Sequence, residues 1–186
     1  MSSATYAGVC GAIILCLAGC SAMDGHARVN PERGAHTTSH ETLVKNGAFV
    51  DGMNKWTYWG AAQTSTVTTT GDALTRQARI TNPGGKLAGL SQHVNLVSGA
   101  VYRFGARVKS PGDNRGKVLG ARVAIWHPPQ KEHELVWMHE FKHWWRKHAV
   151  FTNRVTGMAT VLIHLGYGNA MNTADFTDVT VERLTD

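Results

Sequence analysis

From Leu43 onwards, hydrophobic and polar residues alternate over short stretches that are rich in Val, Ile, Thr, Tyr, Phe and Trp and are separated by clusters of Gly, Asn, Asp and Pro. In Val101–Lys109 the aromatic and aliphatic side chains fall on one side of an extended strand, whereas Arg103, Arg107 and Lys109 fall on the other. Because successive side chains of a strand point to opposite faces, this pattern predicts a strand with one buried and one solvated face.

The same alternation recurs along the rest of the domain. In 119–126 it places Arg122 and Trp126 on the side opposite the core-facing Val123 and Ile125. Other alternating or Thr/Val-rich stretches are 65–70, 74–81 and 159–165, and N-P-G-G at 82–85 is a turn signal. About eight to ten short strands without a convincing amphipathic helix indicate an all-β fold, either an antiparallel β-sandwich or a barrel.

The N-terminal 20 residues have the character of a bacterial export signal. The apolar stretch Ala7–Ala18 precedes the first charged residue, Asp24, and it is shorter than the roughly 20 residues of a membrane-spanning helix. It ends in L-A-G-C at 17–20, which resembles the lipobox of bacterial lipoproteins, although no Lys or Arg precedes it. The pattern predicts a signal peptide over 1–19 and a lipid such as palmitate on Cys20. The alternative is a hydrophobic N-terminal strand or leader.

A polar segment separates this signal from the domain. Residues 20–42 lack apolar periodicity and contain several Gly, Ser, Thr and Pro, which predicts a flexible tether to one domain over 43–186. Cys10 and Cys16 lie inside the signal, so the exported chain would keep a single cysteine and no internal disulfide. Together these features predict an exported lipoprotein, anchored to the cell membrane or the outer membrane through Cys20.

The charge balance is basic. The chain has 19 Lys and Arg against 13 Asp and Glu, a formal net charge of +6, and the excess lies within the domain, concentrated between Arg103 and Arg154. Such a field favours anionic partners, for example acidic polysaccharide, phosphate-bearing envelope glycans or lipid headgroups. The simpler interpretation is a solvated basic face that aids solubility. No nucleic-acid partner is predicted.

A series of short motifs in one order resembles the jelly-roll carbohydrate-binding modules attached to bacterial xylanases and cellulases, a galactose-binding-like β-sandwich group. The motifs are V-K-N-G-A-F at 44–49 followed by Trp56, L-S-Q-H-V-N-L at 90–96, S-G-A-V-Y at 98–102, Trp144 with Phe151 and Thr152, and A-D-F-T-D-V-T-V at 174–181. The resemblance covers about residues 43 to 184. It implies an antiparallel jelly-roll β-sandwich and glycan binding, although the wider group also contains members that bind proteins or lipids.

The resemblance also implies a structural calcium ion, but this chain departs from the pattern there. The residue after the opening Phe is often a calcium-ligating Glu in the family, and here it is Val50. The closing pair of acids is reduced to Asp178 beside Thr177. Because calcium prefers several oxygen ligands that include carboxylates, no calcium and no other cofactor is predicted.

One string suggests zinc chemistry. His139, Glu140 and His143 form a literal H-E-x-x-H, which makes a zinc hydrolase only when it lies on a helix. The sequence after it reads as a strand, and the third histidine of the extended metzincin motif would fall at Ala149. A zinc-dependent hydrolase is therefore only a third hypothesis. No nucleophile elbow, phosphate loop or dinucleotide motif is present, so no catalytic residue and no metal ligand is assigned.

The candidate ligand-binding residues are aromatic and polar side chains on predicted solvated faces. Sugar rings pack their C–H faces on Trp and Tyr, and their hydroxyls bond to Arg, Asn, Gln and His. We predict one such face, formed by Arg103, Arg107, Arg122, Trp126 and His164 and bordered by Trp137. The sequence thus predicts a membrane-anchored, non-catalytic glycan-binding module, with acidic or envelope polysaccharide as the candidate ligand. The alternative is an envelope or adhesion lipoprotein that binds another protein.

Overall fold

The computed structural model of the protein describes residues 41–61, 66–70, 76–83, 86–111, 119–139, 142–169 and 171–184, and within these ranges the chain forms ten β-strands and no α-helix. The strands are β1 (Thr57–Gly60), β2 (Thr66–Thr70), β3 (Gln77–Asn82), β4 (Ala88–Leu96), β5 (Val101–Lys109), β6 (Ala121–Trp126), β7 (His133–Trp137), β8 (Trp145–Thr152), β9 (Gly157–Leu165) and β10 (Asn172–Leu184). A short 3₁₀ turn covers Tyr167–Asn169.

The strands form two five-stranded sheets in which every pairing is antiparallel. We call the sheet with the order β1-β4-β9-β6-β7 the front sheet and the sheet with the order β2-β3-β10-β5-β8 the back sheet. Their inner faces enclose one hydrophobic cluster that draws residues from both sheets. The predicted all-β, antiparallel sandwich is confirmed.

The core follows the alternation of the individual strands. Tyr102 and Phe104 of the back sheet and Val123 and Ile125 of the front sheet are each 1% exposed, as their positions in the pattern predict. The ring of Phe104 meets that of Phe151 edge to face at 5.8 Å, an arrangement that aromatic pairs favour. Two of the predicted strands therefore supply the centre of the sandwich.

Strand limits differ from the sequence prediction mainly at glycines and turns. β5 has the predicted limits, whereas β6 begins at Ala121 because Gly120 has a φ of 63°, a left-handed conformation that does not belong to a strand. β2 and β3 occur within the predicted stretches 65–70 and 74–81 or one residue beyond. Residues 65, 74, 75, 84 and 85 lie outside the described ranges.

The chain enters the sandwich at Thr42, which pairs with Glu182 of β10. The loop that follows is fixed by Phe49 and Trp56, both buried, whose rings stack at a centroid distance of 5.4 Å. The predicted signal peptide, Cys20 and nearly all of the tether lie outside the described residues. Among the described residues, no helix is long and apolar enough to span a bilayer.

Trp137 belongs to the core, so the prediction that it borders a ligand-binding face is wrong. β7 pairs with β6 so that Trp137 lies opposite Ala121, an inward-facing residue, and its side chain is 0% exposed. Its Nε1–H donates to the carbonyl of Trp145 at 3.2 Å. The isolated stretch E-L-V-W-M did not reveal this orientation, because the register with β6 decides which face each of its residues takes.

Candidate functional site

The predicted ligand-binding residues lie on solvent sides of their strands, but not on one common face. Arg103 and Arg107 belong to β5 of the back sheet, whereas Arg122 and Trp126 belong to β6 of the front sheet. Both pairs point away from the core, and therefore in opposite directions across the sandwich. The prediction of a single face is wrong because alternation identifies the outer side of a strand without identifying the sheet to which the strand belongs.

On the back sheet, the arginines are neutralised by carboxylates of the neighbouring strand β10. Arg103 contacts Glu182 at 2.6 Å and Arg107 contacts Asp178 at 2.6 Å. These pairs link β5 to β10, and Asp178 also contacts Arg146 at 3.3 Å. Arginine remains suited to anions in general, but these two guanidinium groups already have their partners.

A buried carboxylate extends this arrangement to β3. The Asp175 side chain is fully buried and accepts hydrogen bonds from Arg79 at 2.7 and 2.9 Å and from Gln77 at 3.0 Å. The hydrogen bond and charge of Asp175 raise the pKa of Arg79, against the opposing effect of burial. The outer face of the back sheet is thus a ladder of internal charge pairs that stabilises the fold.

The outer face of the front sheet carries a different set of side chains. Its first row runs across β1, β4, β9 and β6 through Trp59, Gly89, His164 and Arg122. A Cβ atom on Gly89 would lie 1.9 Å from the carbonyl oxygen of Ile163, so only glycine fits there. Because Gly89 has no side chain, the Trp59 ring reaches across it to within 5.2 Å of the His164 ring.

His164 is buried beneath this surface as a neutral imidazole. Desolvation lowers its pKa to about 4; the Leu165 carbonyl opposes this shift, and the charge of Arg122 adds to it. Its Nδ1 lies 3.4 Å from the Leu165 carbonyl oxygen, which favours the proton on Nδ1 and leaves Nε2 as an acceptor. Within the described part of the chain, Nε2 has no hydrogen-bond partner. His164 therefore shapes the face from below and is not itself exposed.

Arg122 is a fixed part of the same row. Its guanidinium contacts Glu132 at 2.6 Å and Glu134 at 2.5 Å, and Tyr167 lies against it with 5.3 Å from Cζ to the ring centroid. Only 13% of its side chain is exposed. Arg122 therefore lies where the sequence predicted, on the face of Trp126, but its charge is balanced by two carboxylates.

Two further rows complete the face. Ser91, Leu162 and Ala124 lie side by side, and Leu162 and Ala124 are buried, which makes this row a low floor. The next row contains His93, Thr160 and Trp126, in which His93 Nδ1 lies 3.2 Å from Thr160 Oγ1 and Trp126 is 52% exposed. The front face thus carries aromatic and hydrogen-bonding side chains on both sides of the buried row.

Sequence reasoning missed part of this face. Trp59, Ser91 and His93 were not among the predicted ligand-binding residues. A signal for two of them existed, because alternation in β4 sets Ser91 and His93 against the buried Leu90 and Val94. No such signal existed for Trp59, since its place beside His164 depends on the pairing of β1 with β4.

The zinc hypothesis gains no support. His139 and His143 lie in exposed bends of the connection between β7 and β8, and Glu140 lies outside the described residues. Among the residues that are described, no group of three His, Cys, Asp or Glu side chains could hold a metal ion. The helix that the H-E-x-x-H chemistry requires is not formed at either histidine.

The positions implied for calcium also do not fit that ion. The carbonyl oxygen of Val50 accepts a hydrogen bond from Arg76 Nη1 at 2.7 Å, so this oxygen faces a guanidinium group. Asp178 is engaged by Arg107 at 2.6 Å and by Arg146 at 3.3 Å, and the Thr177 hydroxyl donates to the carbonyl oxygen of Arg76. Oxygen atoms at both of these positions are thus already bonded to positive side chains.

The fold has well-defined relatives among solved structures. A family 61 carbohydrate-binding module in complex with β-1,4-galactotriose matches with a TM-score of 0.59 at 17% identity over 77% of this chain and 99% of that chain. The CBM22-1 xylan-binding domain from Paenibacillus barcinonensis matches with a TM-score of 0.59 at 11% identity over 79% of this chain and 97% of that chain. This chain has the jelly-roll fold of carbohydrate-binding modules. Modules of families 4 and 16 share it.

The same fold also occurs within larger proteins. The enzymatically active domain of tailspike protein 4 from bacteriophage CBA120 matches with a TM-score of 0.63 at 13% identity, over 77% of this chain but 21% of that chain. This chain therefore spans about a fifth of the tailspike domain. No protein-family model matches the chain, and no curated protein matches it significantly. At these identities the likeness establishes the fold.

Proposed function

We propose that this chain is a non-catalytic module that binds a glycan on the outer face of the front sheet. The observation that carries the proposal is the exposed Trp126 in a row of hydrogen-bonding side chains on one face of a carbohydrate-binding jelly roll. Two structures with this fold are a module bound to galactotriose and a xylan-binding domain, which supports a polysaccharide as the ligand class.

The chemistry of the face suits a sugar chain. The indole of Trp126 offers an apolar surface for the C–H face of a sugar ring, and His93, Thr160 and Ser91 offer groups for its hydroxyls. Trp59 adds a second aromatic surface at the β1 edge. The two tryptophans lie three strands apart on either side of the buried Leu162 and Ala124, so a chain of several sugar residues, not a single ring, would contact both.

The same face argues for binding without catalysis. Its carboxylates in the described ranges are Glu132 and Glu134, and both are held by Arg122. A glycosidase requires one carboxyl group to protonate the leaving oxygen and a second to act as base or nucleophile. Two carboxylates bound to one guanidinium are not available for those roles.

Replacing Trp126 with alanine is expected to raise the Kd for the recognised glycan at least tenfold. Loss of a central aromatic anchor costs about 2 kcal/mol or more, and about 1.4 kcal/mol corresponds to tenfold. The side chain is on the outer face, so the free energy of unfolding should change by no more than about 0.5 kcal/mol. Titration calorimetry on galactan, xylan and acidic polysaccharides, chosen after an array screen, measures the first effect.

Trp145→Ala is the matched control, because Trp145 is 49% exposed on β8 of the back sheet. It should bind as wild type does. Equal losses in the two variants would refute a site on the front face. If the wild type retains no glycan but retains one specific envelope protein, and Trp126→Ala releases that protein, the alternative of a protein-binding lipoprotein replaces this proposal.

We further propose that the module is anchored to a membrane by lipid on Cys20, and that residues 20–42 tether it. The proposal rests on the lipobox-like L-A-G-C that follows an apolar stretch. Acyl chains partition into the bilayer in proportion to their buried length, so a lipidated terminus would hold a domain whose described residues contain no spanning helix.

Cys20→Ser is expected to abolish palmitate labelling and to move the protein out of the washed membrane fraction. Cys16→Ser removes a cysteine inside the proposed signal and should leave both properties unchanged. The measurement is metabolic labelling and fractionation in a bacterial host. Persistence of Cys20→Ser in membranes after a high-salt wash would show that another feature anchors the chain.

A further inference from the structure

A depression of about 330 Å³ opens on the front face at the edge formed by β1 and β4. It is lined by basic and hydroxyl-bearing side chains and one amide, namely Lys45, Lys55, Thr57, Ser91, Gln92 and His93. No carboxylate is part of this lining. It therefore differs in charge from the opposite end of the face, where Arg122 is held by two glutamates.

One buried side chain sets the positions of both lysines. Gln92 is 9% exposed, and its Oε1 accepts a hydrogen bond from the Lys45 backbone N–H at 2.6 Å. Its Nε2 donates to the carbonyl oxygens of Lys45 at 2.8 Å and Lys55 at 3.0 Å. The two lysine backbones are thus tied to the same point of β4. Both lysines are therefore held at the depression that they line.

The charges of these two lysines are only weakly paired with carboxylates, unlike those of Arg103, Arg107 and Arg122. Within the described ranges Lys55 forms no ion pair, and Lys45 contacts only Glu41 at 3.2 Å, with side chains 62% and 87% exposed. An exposed pair of this kind contributes about 0–1 kcal/mol and exchanges readily with solvent. Within the described ranges, the depression therefore carries two lysines whose charge is not held by a buried carboxylate.

We infer that the depression binds the carboxylate or sulfate group of an acidic sugar residue in the glycan held on the front face, an inference that rests on the proposed function. Ammonium groups and the hydroxyls of Ser91 and Thr57 are donors for an oxyanion, and charge-assisted hydrogen bonds of this type are among the stronger ones. His93 in the lining shares a row with Trp126, which lies two strands away, about 10 Å. One sugar chain can reach both.

The test compares matched glycans on the full-length protein. The probes are oligogalacturonate, its carboxyl-reduced neutral form, a sulfated galactan oligosaccharide and the unsulfated galactan. The double variant Lys45→Ala/Lys55→Ala is expected to lose at least tenfold in affinity for one or both charged probes and to bind the neutral ones as wild type does. Affinity for the charged probe should depend less on salt in this variant than in wild type. The charged probe whose affinity falls in the double variant shows whether the depression binds a carboxylate or a sulfate group.

Lys86→Ala/Lys131→Ala is the charge-matched control, because it removes two exposed lysines that do not line the depression. An equal loss in the two double variants would show a diffuse charge effect and overturn the inference. The inference would also be overturned if the wild type bound neither charged probe more tightly than the neutral partner of that probe. That result would leave the proposed function intact. Failure of wild type to bind any glycan of the wider array would instead remove the proposed function and, with it, this inference.

Discussion

Replacing Trp137 with alanine is expected to lower the free energy of unfolding by about 3–5 kcal/mol, the usual cost of removing a large aromatic side chain from a core. The indole is fully buried in β7 opposite Ala121, and its Nε1–H donates to the Trp145 carbonyl. Truncation opens a cavity between the sheets and removes this hydrogen bond. Since domains are typically stable by about 5–15 kcal/mol, the variant should be close to unfolding at moderate temperature.

Urea denaturation followed by tryptophan fluorescence and circular dichroism measures this effect. Trp137→Phe keeps much of the volume but not the hydrogen bond, so its loss should be smaller than that of Trp137→Ala. Trp145→Ala removes an exposed indole and should change stability by no more than about 0.5 kcal/mol. A loss for Trp137→Ala as small as that for Trp145→Ala would contradict a core position and return Trp137 to the set of surface candidates.

Acidification from pH 6.5 to pH 4 is expected to destabilise the wild-type protein by about 3 kcal/mol more than a His164→Gln variant. Burial holds the pKa of His164 at about 4 in the folded protein, below its ordinary value of 6.5. Between these values the unfolded chain binds a proton that the folded chain excludes, so stability falls as pH falls. Each unit of difference in pKa corresponds to about 1.4 kcal/mol. Below about pH 4 both states are protonated and this contribution no longer changes.

The measurement is urea unfolding of both proteins at pH 7, 5.5 and 4. Glutamine is neutral throughout, so the variant lacks this one titration while its other groups remain. Burial and the charge of Arg154 also lower the pKa of His133, but that effect is common to both proteins and cancels in the difference. Parallel stability curves for wild type and His164→Gln would mean that His164 is hydrated in the folded state.

The alternation within single strands did not predict which of the candidate side chains lie on the same face. Arg107 and Arg122 occupy equivalent solvated positions in their alternating stretches, and nothing in the sequence of either stretch assigns them to different sheets. Their carboxylate partners also lie on other strands, since Asp178 is on β10 and Glu134 is on β7. An arginine that looks free for an anion in the sequence was thus found to be paired in each case.

What the sequence by itself determined is the buried side of the clearly alternating strands such as β5 and β6, the all-β class and the approximate number of strands. These are local properties, because alternation and turn residues act over a few neighbouring positions; Tyr102 and Ile125 are buried for that reason. Only the tertiary structure decided which solvated sides share a face, that Trp59 lies over His164, and that Trp137 faces inward. Those facts depend on which strands pair and in what register, and that choice is made by contacts between residues far apart in the chain.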